Sequence, residues 1–467
     1  MIHKYKKNHT HLVLDVNSGA VHVVDALVYD LLDHYPITSH RSEPHQQTCE
    51  SFYAVYGRQA VLEAIEEIDF LVEQGLLCTP ADDRIHEPPQ RDPIVKALCL
   101  HVAHDCNLSC SYCFASEGVF QGERMLMDHH TAVAAIDFLF AHSGSRRHLE
   151  VDFFGGEPLL NFSLIQEVVA YTREKEKNTH KQTRFTVTTN GLALNENNMN
   201  WLNEHMSNVV FSLDGRPEVN DAMRCTCNGE GSYQHVYPRI HEMVSKRKEK
   251  PYFIRGTFTR MNLDFLQDVK HLVEHGFNEI SIEPVVAPPD KEFSLRRKDV
   301  ETICRQYDEL ALYYLDQKRQ GRSFRFFHFL IDLQQGPCIR KRSSGCGAGT
   351  EYVAVTPDGA LYPCHQFVGN KRFQMGDVVS GISGNSPLLQ QFKESSIHHK
   401  HACRQCWAKF YCSGGCHANA WHANAHLHEP YEIGCLLEKA RIENALMIKA
   451  RESEESFHDS IHSKQNT

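Results

Sequence analysis

Between Lys96 and Val286 the chain repeats one pattern six times: a short apolar run, then a longer segment with helical periodicity. The strand candidates are 96–104, 148–154, 184–190, 208–213, 252–258 and 279–285. Between them lie stretches such as TAVAAIDFLFAH, SLIQEVVAYTREKEK, ENNMNWLNEHM and FLQDVKHLVEHG. Strands joined by helical crossovers pair in parallel, because each crossover returns the chain to the same end of the sheet. Six such units predict an α/β fold, a parallel sheet closed or partly closed into a (β/α)6 barrel. In barrels of this kind the chemistry gathers on loops at the C-terminal strand ends. Here DCNLSCSYC follows the first strand, GGEP the second, TTNG the third and DG the fourth.

The flanks read differently. Residues 1–90 contain a hairpin signal, HLVLDV and AVHVVD around Asn17-Ser18-Gly19, followed by the helical patterns ALVYDLLDHY and VLEAIEEIDFLVEQGLL. The stretch HEPPQRDP (86–93) reads as a linker, since its three prolines cannot sit inside regular structure. The central part, 91–335, ends in a bridge containing the helical ETICRQYDELALYYLDQKR. Residues 336–467 are rich in Cys, Gly and His to about 435, then give a helical LLEKARIENALMIKAR and a polar tail, SEESFHDSIHSKQNT, expected to be disordered. No run approaches the ~18 apolar residues of a membrane span. The N-terminus has no apolar core or cleavage site of a secretory signal, so a cytoplasmic setting is expected. With 49 Lys and Arg against 59 Asp and Glu, the net charge of −10 argues against a nucleic-acid platform.

The chain has 17 cysteines. Where thiols stay reduced, metal or catalytic duty is a stronger reading than a disulfide framework. Cys106, Cys110 and Cys113 are spaced C-x3-C-x2-C directly after the first strand. Thiolates suit iron–sulfur clusters and zinc. Three of them can hold three corners of a cubane and leave one iron open; a zinc knuckle would need a fourth ligand such as His101 or His104. Gly155 and Gly156 let backbone approach a ligand, and Glu157, before Pro158, can accept from an ammonium. Ser212 and Asp214-Gly215 close the fourth strand, and Arg224 offers a fork for a carboxylate. Near the C-terminus Cys346, Cys364, Cys403, Cys406, Cys412, Cys416 and Cys435 form a second concentration. Seven thiolates, or eight with Cys338, exceed one four-ligand site and suggest two, with a zinc-ribbon pair as the alternative. Cys225 and Cys227 read as loop residues, and Cys49, Cys78, Cys99 and Cys304 as small core residues.

On LCLHVAHDCNLSCSYCFAS, GGEPLLNF and GCGAGTEYVAVTPDGALYPCHQFVGN the sequence resembles the radical S-adenosylmethionine (SAM) superfamily with a C-terminal SPASM domain. The resemblance implies three [4Fe–4S] clusters and SAM. Cys106, Cys110 and Cys113 would hold the first cluster, whose open iron takes the methionine part of SAM. Gly155, Gly156, Glu157, Pro158, Asn190, Ser212 and Arg224 would contact SAM. Cys403, Cys406, Cys412 and Cys435 would hold the outer auxiliary cluster. Cys346, Cys364 and Cys416 would hold the inner one, with Cys338 either completing it or leaving an iron free for a substrate thiolate. Residues 1–90 resemble a winged-helix element that binds a leader peptide as an added strand. A DNA-binding winged helix is disfavoured, because the acidic VLEAIEEIDFLVEQ would be repelled by phosphate.

The whole looks similar to thioether-forming maturases of the cysteine-rich SCIFF peptides. Its expected partners are a precursor peptide with a leader and an electron donor such as a ferredoxin or flavodoxin. Its expected setting is a low-oxygen cytoplasm. Two other readings compete. A sulfatase-activating dehydrogenase would oxidise Cys or Ser to formylglycine; such relatives place an aspartate base where this chain has His365, itself able to accept a proton. A non-catalytic peptide- or metal-binding scaffold would need no SAM pocket.

Overall fold

The computed structural model describes residues 1–34, 46–81, 94–333, 343–384 and 386–465. The proline-rich 86–93 and Cys338 lie outside them.

The N-terminal strands β1 (Ile2–Lys7), β2 (Thr10–Asp15) and β3 (Val21–Val24) form an antiparallel sheet in that order. β2 and β3 are the expected hairpin. β1 was missed by sequence reading, because IHKYKK carries charges where a half-buried strand would alternate. The helices α1 (Ala26–Leu31), α2 (Gln46–Tyr56) and α3 (Arg58–Glu73) follow. Val61, Ala64 and Ile68 of α3, at spacings of three and four, close over Val13, Leu27 and Leu31.

All six expected barrel strands are present: β4 (Ala97–His104), β7 (His148–Gly155), β8 (Gln182–Thr189), β9 (Asn208–Ser212), β11 (Tyr252–Phe258) and β12 (Glu279–Pro284). The shorter strands β5 (Leu108–Cys110), β6 (Met125–Leu126) and β10 (Arg224–Thr226) lie in the loops between them. The main strands pair in parallel in chain order, β4-β7-β8-β9-β11-β12, with helices in the crossovers. Of these helices, Phe162–Glu176 buries Leu164, Ile165, Val168, Val169 and Thr172, one stripe at helical spacing. Strand residues facing the helices, such as Val151, Phe153, Val209, Phe211 and Ile254, are fully buried. Their alternates on the inner face (Thr186, Val210, Ser212, Thr257) are only partly covered.

The sheet does not close. It continues past β12 into β13 (Arg325–Phe326), and past β4 into β14 (Tyr352–Val355), which pairs with β4 in parallel. β14 belongs to the cysteine-rich C-terminal part, so that part is built onto the barrel edge. β15 (Ala360–Tyr362), β16 (Gly376–Asp377) and β17 (Gly381–Ile382) extend it antiparallel. Between barrel and C-terminal part runs the long bridge helix Val300–Arg319. The final helix, Glu432–Gln465, corrects the expected disordered tail: SEESFHDSIHSK contains no Pro or Gly, and adding residues to a formed helix is far easier than starting one. Lys318–Glu452 (2.6 Å) and Arg319–Glu455 (2.6 Å) tie it to the bridge helix. It also receives β1: Tyr5 Oη donates to the Glu443 carbonyl (3.2 Å), and His3 Nε2 lies 3.1 Å from Glu443 Oε1. Among the described residues no helix is long and apolar enough to cross a membrane.

Candidate active site

Every residue of β4 is buried, which fixes the point where the cysteine loop leaves the sheet. Within that loop β5 pairs antiparallel with β10, setting Cys110 opposite Arg224 and Ser109 opposite Cys225. Cys106, Cys110 and Cys113 come together there. Burial pushes the Cys106 thiol up to about 12, with Cys110 and Cys113 adding to the shift, and the Cys110 thiol up to about 11. Thiols become ligands when a metal cation displaces their protons, so the shared position of the three is the observation that suits an iron–sulfur cluster. Two N–H groups already point at Cys106 Sγ: the Leu108 amide (3.4 Å) and Asn190 Nδ2 (3.7 Å). Asn190 also donates to Asn107 Oδ1 (2.8 Å), so the TTNG turn braces the cysteine loop.

GGEP lies directly against this loop. Gly156 N donates to the Ala103 carbonyl and Glu157 N to the Asp105 carbonyl, both at 2.8 Å. A Cβ on Gly155 would stand 2.1 Å from the Ala103 oxygen, and one on Gly156 2.2 Å from the Asp105 oxygen, so neither position has room for a side chain. Glu157 is fully buried and accepts from Leu159 N (3.0 Å), Thr189 Oγ1 (2.8 Å) and Asn190 N (2.8 Å). Burial raises its carboxyl to about 7. A carboxylate has roughly four acceptor positions, so Glu157 keeps about one for an ammonium. Pro158 opens the turn Pro158–Asn161 that follows.

Beyond β9, Asp214 is a hub. It is almost fully buried and accepts from Arg224 Nη2 (3.0 Å), Tyr112 Oη (2.7 Å) and Thr257 N (2.8 Å). Burial opposes the Arg224 charge, but Asp214 outweighs it and the guanidinium stays protonated. Its Nε is buried without a partner among the described residues. Arg224 therefore carries an unused donor beside Cys110, where the carboxylate of a cluster-bound amino acid would fit. Ser212, at the end of β9, makes no side-chain hydrogen bond among the described residues.

The C-terminal cysteines fall into two groups. Burial and then the charges of Cys416 and Cys346 push the Cys364 thiol upward. Burial, with Cys403 and Cys406, raises Cys435 to about 11; burial, with Glu438, Cys435 and Cys403, raises Cys412 to about 12. Cys346, Cys364 and Cys416 are thus neighbours, and so are Cys403, Cys406, Cys412 and Cys435. Lys400, nearly fully buried, donates to the Gly414 carbonyl (2.8 Å) and feels thiols of both groups. Among the described residues no three His, Cys, Asp or Glu side chains converge tightly enough for one metal ion. His101 and His104 are hydrogen-bonded to each other (3.1 Å).

His365 joins the two regions. Its ring lies 5.5 Å from Phe114, which follows Cys113, and 5.1 Å from Phe154 at the end of β7. Burial, reinforced by Arg255, lowers it to about 4 and keeps it neutral near pH 7. Cys99 is fully buried, as expected of a core residue, while Cys78 and Cys304 are partly covered. Cys225 lies on β10, its Sγ 3.4 Å from the Asp221 carbonyl, and Cys227 is exposed. Sequence reading missed Tyr112, Lys400 and Arg255. A charge at an inward position of YFIRGTF was the available signal for Arg255.

Residues 96–237 match the family of 4Fe-4S single cluster domains, and residues 346–407 match SPASM, an iron-sulfur cluster-binding domain. The first match contains Cys106, Cys110 and Cys113, and the second contains Cys346, Cys364, Cys403 and Cys406. The chain belongs to the radical SAM/SPASM family. An uncharacterized protein of Methanocaldococcus jannaschii, MJ0907, is 31% identical over 47% of this chain and 72% of its own length. The cysteine-type anaerobic sulfatase-maturating enzyme of Clostridium novyi is 24% identical over 68% of this chain and 86% of its own. The antilisterial bacteriocin subtilosin biosynthesis protein AlbA of Bacillus subtilis is 23% identical over 71% and 69%. Among solved structures, native anSMEcpe with bound AdoMet and Cp18Cys peptide superposes with a TM-score of 0.64 at 20% identity, covering 77% of this chain and 99% of that one. That likeness shows the fold. The family's cofactors are [4Fe–4S] clusters and SAM, and the partly covered thiol trio and the unused Arg224 donor fit them.

Proposed function

We propose that this radical SAM enzyme matures a ribosomally made, cysteine-rich peptide by joining a cysteine sulfur to a carbon of another residue, threonine foremost. The observation that carries the reading is the second thiol group: Cys346, Cys364 and Cys416 stand together, with His365 reaching from Cys364 to Phe114 on the first cysteine loop. Three thiols leave one corner of a cluster for a substrate thiolate, unless Cys338 takes it. Cys106, Cys110 and Cys113 would hold the first cluster, Cys403, Cys406, Cys412 and Cys435 the outer one. With SAM bound, the first cluster supplies on reduction a 5′-deoxyadenosyl radical able to take a hydrogen atom from carbon.

The protein's own residues do the rest. Glu157, with Gly155, Gly156 and Pro158 around it, would receive the methionine ammonium, and Arg224 with Ser212 its carboxylate. Asn190 holds Cys106 in place. His365, neutral and beside the second thiol group, would take the thiol proton of the substrate cysteine. The peptide loses two hydrogens in all, one as an atom taken from carbon by the deoxyadenosyl radical and one as the thiol proton, and the electron released on C–S bond formation would be accepted by the auxiliary clusters. The free edge of β3, where Val23 is exposed, would receive the leader as a further strand. A ferredoxin or flavodoxin would supply the reducing electron.

The likeness to AlbA, named for biosynthesis of a peptide bacteriocin, supports a peptide substrate. The Clostridium novyi relative favours formylglycine formation as the second reading. Mass spectrometry separates them. Incubation of the reconstituted chain with SAM, reductant and a cysteine-rich precursor should give a peptide lighter by two hydrogens and resistant to thiol alkylation. An aldehyde product selects the second reading.

A further inference from the structure

Inward positions of the barrel strands are mostly small or neutral: Thr186, Thr188, Val210, Ser212, Phe253, Thr257 and Ser281. Charges on the same face include Glu150 and Asp152 on β7, Arg184 near the start of β8 and Glu283 on β12, and Arg255 is the cation placed midway up the sheet. Arg255 sits mid-way along β11, in register with Ser212 on β9 and Ser281 on β12. Its neighbours Ile254 and Gly256 are buried, whereas Arg255 is exposed on the opposite, inner face of the sheet. Its guanidinium makes no hydrogen bond or ion pair with any described residue.

The other charges nearby are already satisfied. Glu283 Oε1 accepts from Ser281 Oγ (3.0 Å) and pairs with His328 Nε2 (3.3 Å). His328 Nδ1 lies 2.8 Å from Arg441 Nη1, and Arg441 pairs with Glu438. Arg255 acts on Glu283 only through space, after His328 in strength. The guanidinium therefore faces the space inside the sheet level with Ser212, whose strand runs on to Asp214, the residue that accepts from Tyr112 of the first cysteine loop. Arg224, with its own spare donor, stands at Cys110 and is the better placed for SAM. A guanidinium fork that has no counter-ion among the described residues can bind a carboxylate through two parallel hydrogen bonds.

We propose that Arg255 is a specificity-determining residue that binds a carboxylate of the substrate peptide, from an Asp or Glu side chain beside the reacting residue or from the peptide's C-terminus. This rests on the reading of the cleft as the place where a peptide is modified. Equilibrium binding tests recognition without requiring any cross-link to form, so the two can fail separately.

The test uses the full chain, reconstituted anaerobically, and three fluorescein-labelled peptides of Ala, Gly and Ser around one Cys. The first carries Glu beside the Cys and an amidated C-terminus, the second Gln and a free C-terminus, the third Gln and an amide. Anisotropy titration of the unmodified protein should show the first or second bound at least about tenfold tighter than the third, and which of them wins identifies the carboxylate. Arg255→Gln should abolish that preference and Arg255→Lys retain part of it, while SAM affinity by equilibrium dialysis stays unchanged. Equal binding of all three peptides by the unmodified protein, or binding of none, overturns the proposal without needing any variant. Loss of SAM affinity in Arg255→Gln also overturns it, by assigning the residue to the cofactor.

Discussion

Gly156→Ala should dismantle the first cysteine loop while leaving the rest of the protein folded. The new methyl would lie 2.2 Å from the Asp105 oxygen, 2.6 Å from the Asp105 carbonyl carbon and 3.0 Å from Cα of Gly118. All three are backbone atoms, so no rotamer relieves the overlap. Reaching an ordinary contact of about 3.5 Å means moving one backbone by about 1 Å, with an overpacking cost of about 1–3 kcal/mol. The segment that gives is the one carrying Asp105, whose next residue is Cys106. The Glu157 N to Asp105 bond, 2.8 Å long, goes with it. A displacement of about 1 Å costs roughly a hundredfold in rate where reacting atoms must be aligned. Iron and sulfide analysis after anaerobic reconstitution should fall from about twelve irons per chain to about eight, the auxiliary clusters being retained. Deoxyadenosine formation should fall by roughly two orders of magnitude. Gly384→Ala is the control, since a Cβ there meets nothing within 4 Å. Full iron content and undiminished SAM cleavage in Gly156→Ala would refute the close-approach argument.

Further perturbations have distinct readouts. Asp214→Ala leaves the buried Arg224 guanidinium without its counter-ion and should cost about 3–5 kcal/mol in denaturant unfolding; a loss below about 1 kcal/mol would show the pair to be dispensable. Asp152, inside the sheet, is raised to about 7 by burial and by Glu150. A raised folded-state carboxyl stabilises fully below its unfolded value of about 4, and that stability is lost as pH rises through about 7. Asp152→Asn should therefore flatten the decline in unfolding midpoint between those limits, and an unchanged slope would assign the decline to other groups. Lys400→Met removes a buried positive charge between the two C-terminal thiol groups. Auxiliary-cluster reduction potentials followed by electron paramagnetic resonance should move negative, and no movement would place the Lys400 charge outside their field.

The barrel was legible because its signal is repeated and local: each strand is a short apolar run, each strand end carries a polar signature, and neighbouring elements in sequence are neighbours in space. β1 escaped because its partners are not local. IHKYKK becomes half-buried only when Tyr5 meets Glu443 and Lys7 meets Asp308 (2.8 Å), more than three hundred residues away. For the same reason the parallel pairing of β14 with β4 could not be read from either segment, and the open sheet followed from it. Spacing located the cysteines but not their grouping, which depends on how Cys346 and Cys416 approach Cys364. Arg224 was singled out in the sequence as a candidate partner for a carboxylate, whereas its tie to Asp214 and its idle Nε are facts of packing. The chain Glu283–His328–Arg441 joins three remote segments and left no trace in the sequence.

The account stands on thiolates at Cys106, Cys110 and Cys113 presenting a cluster to SAM. The most direct measurement is 5′-deoxyadenosine and methionine released per chain when the anaerobically reconstituted protein is reduced with SAM present, beside the variant in which all three cysteines are alanine. The account predicts both products in equal amounts from the unmodified chain and none from the variant. A fully iron-loaded unmodified chain that leaves SAM intact, or a variant that cleaves it equally well, would contradict the account.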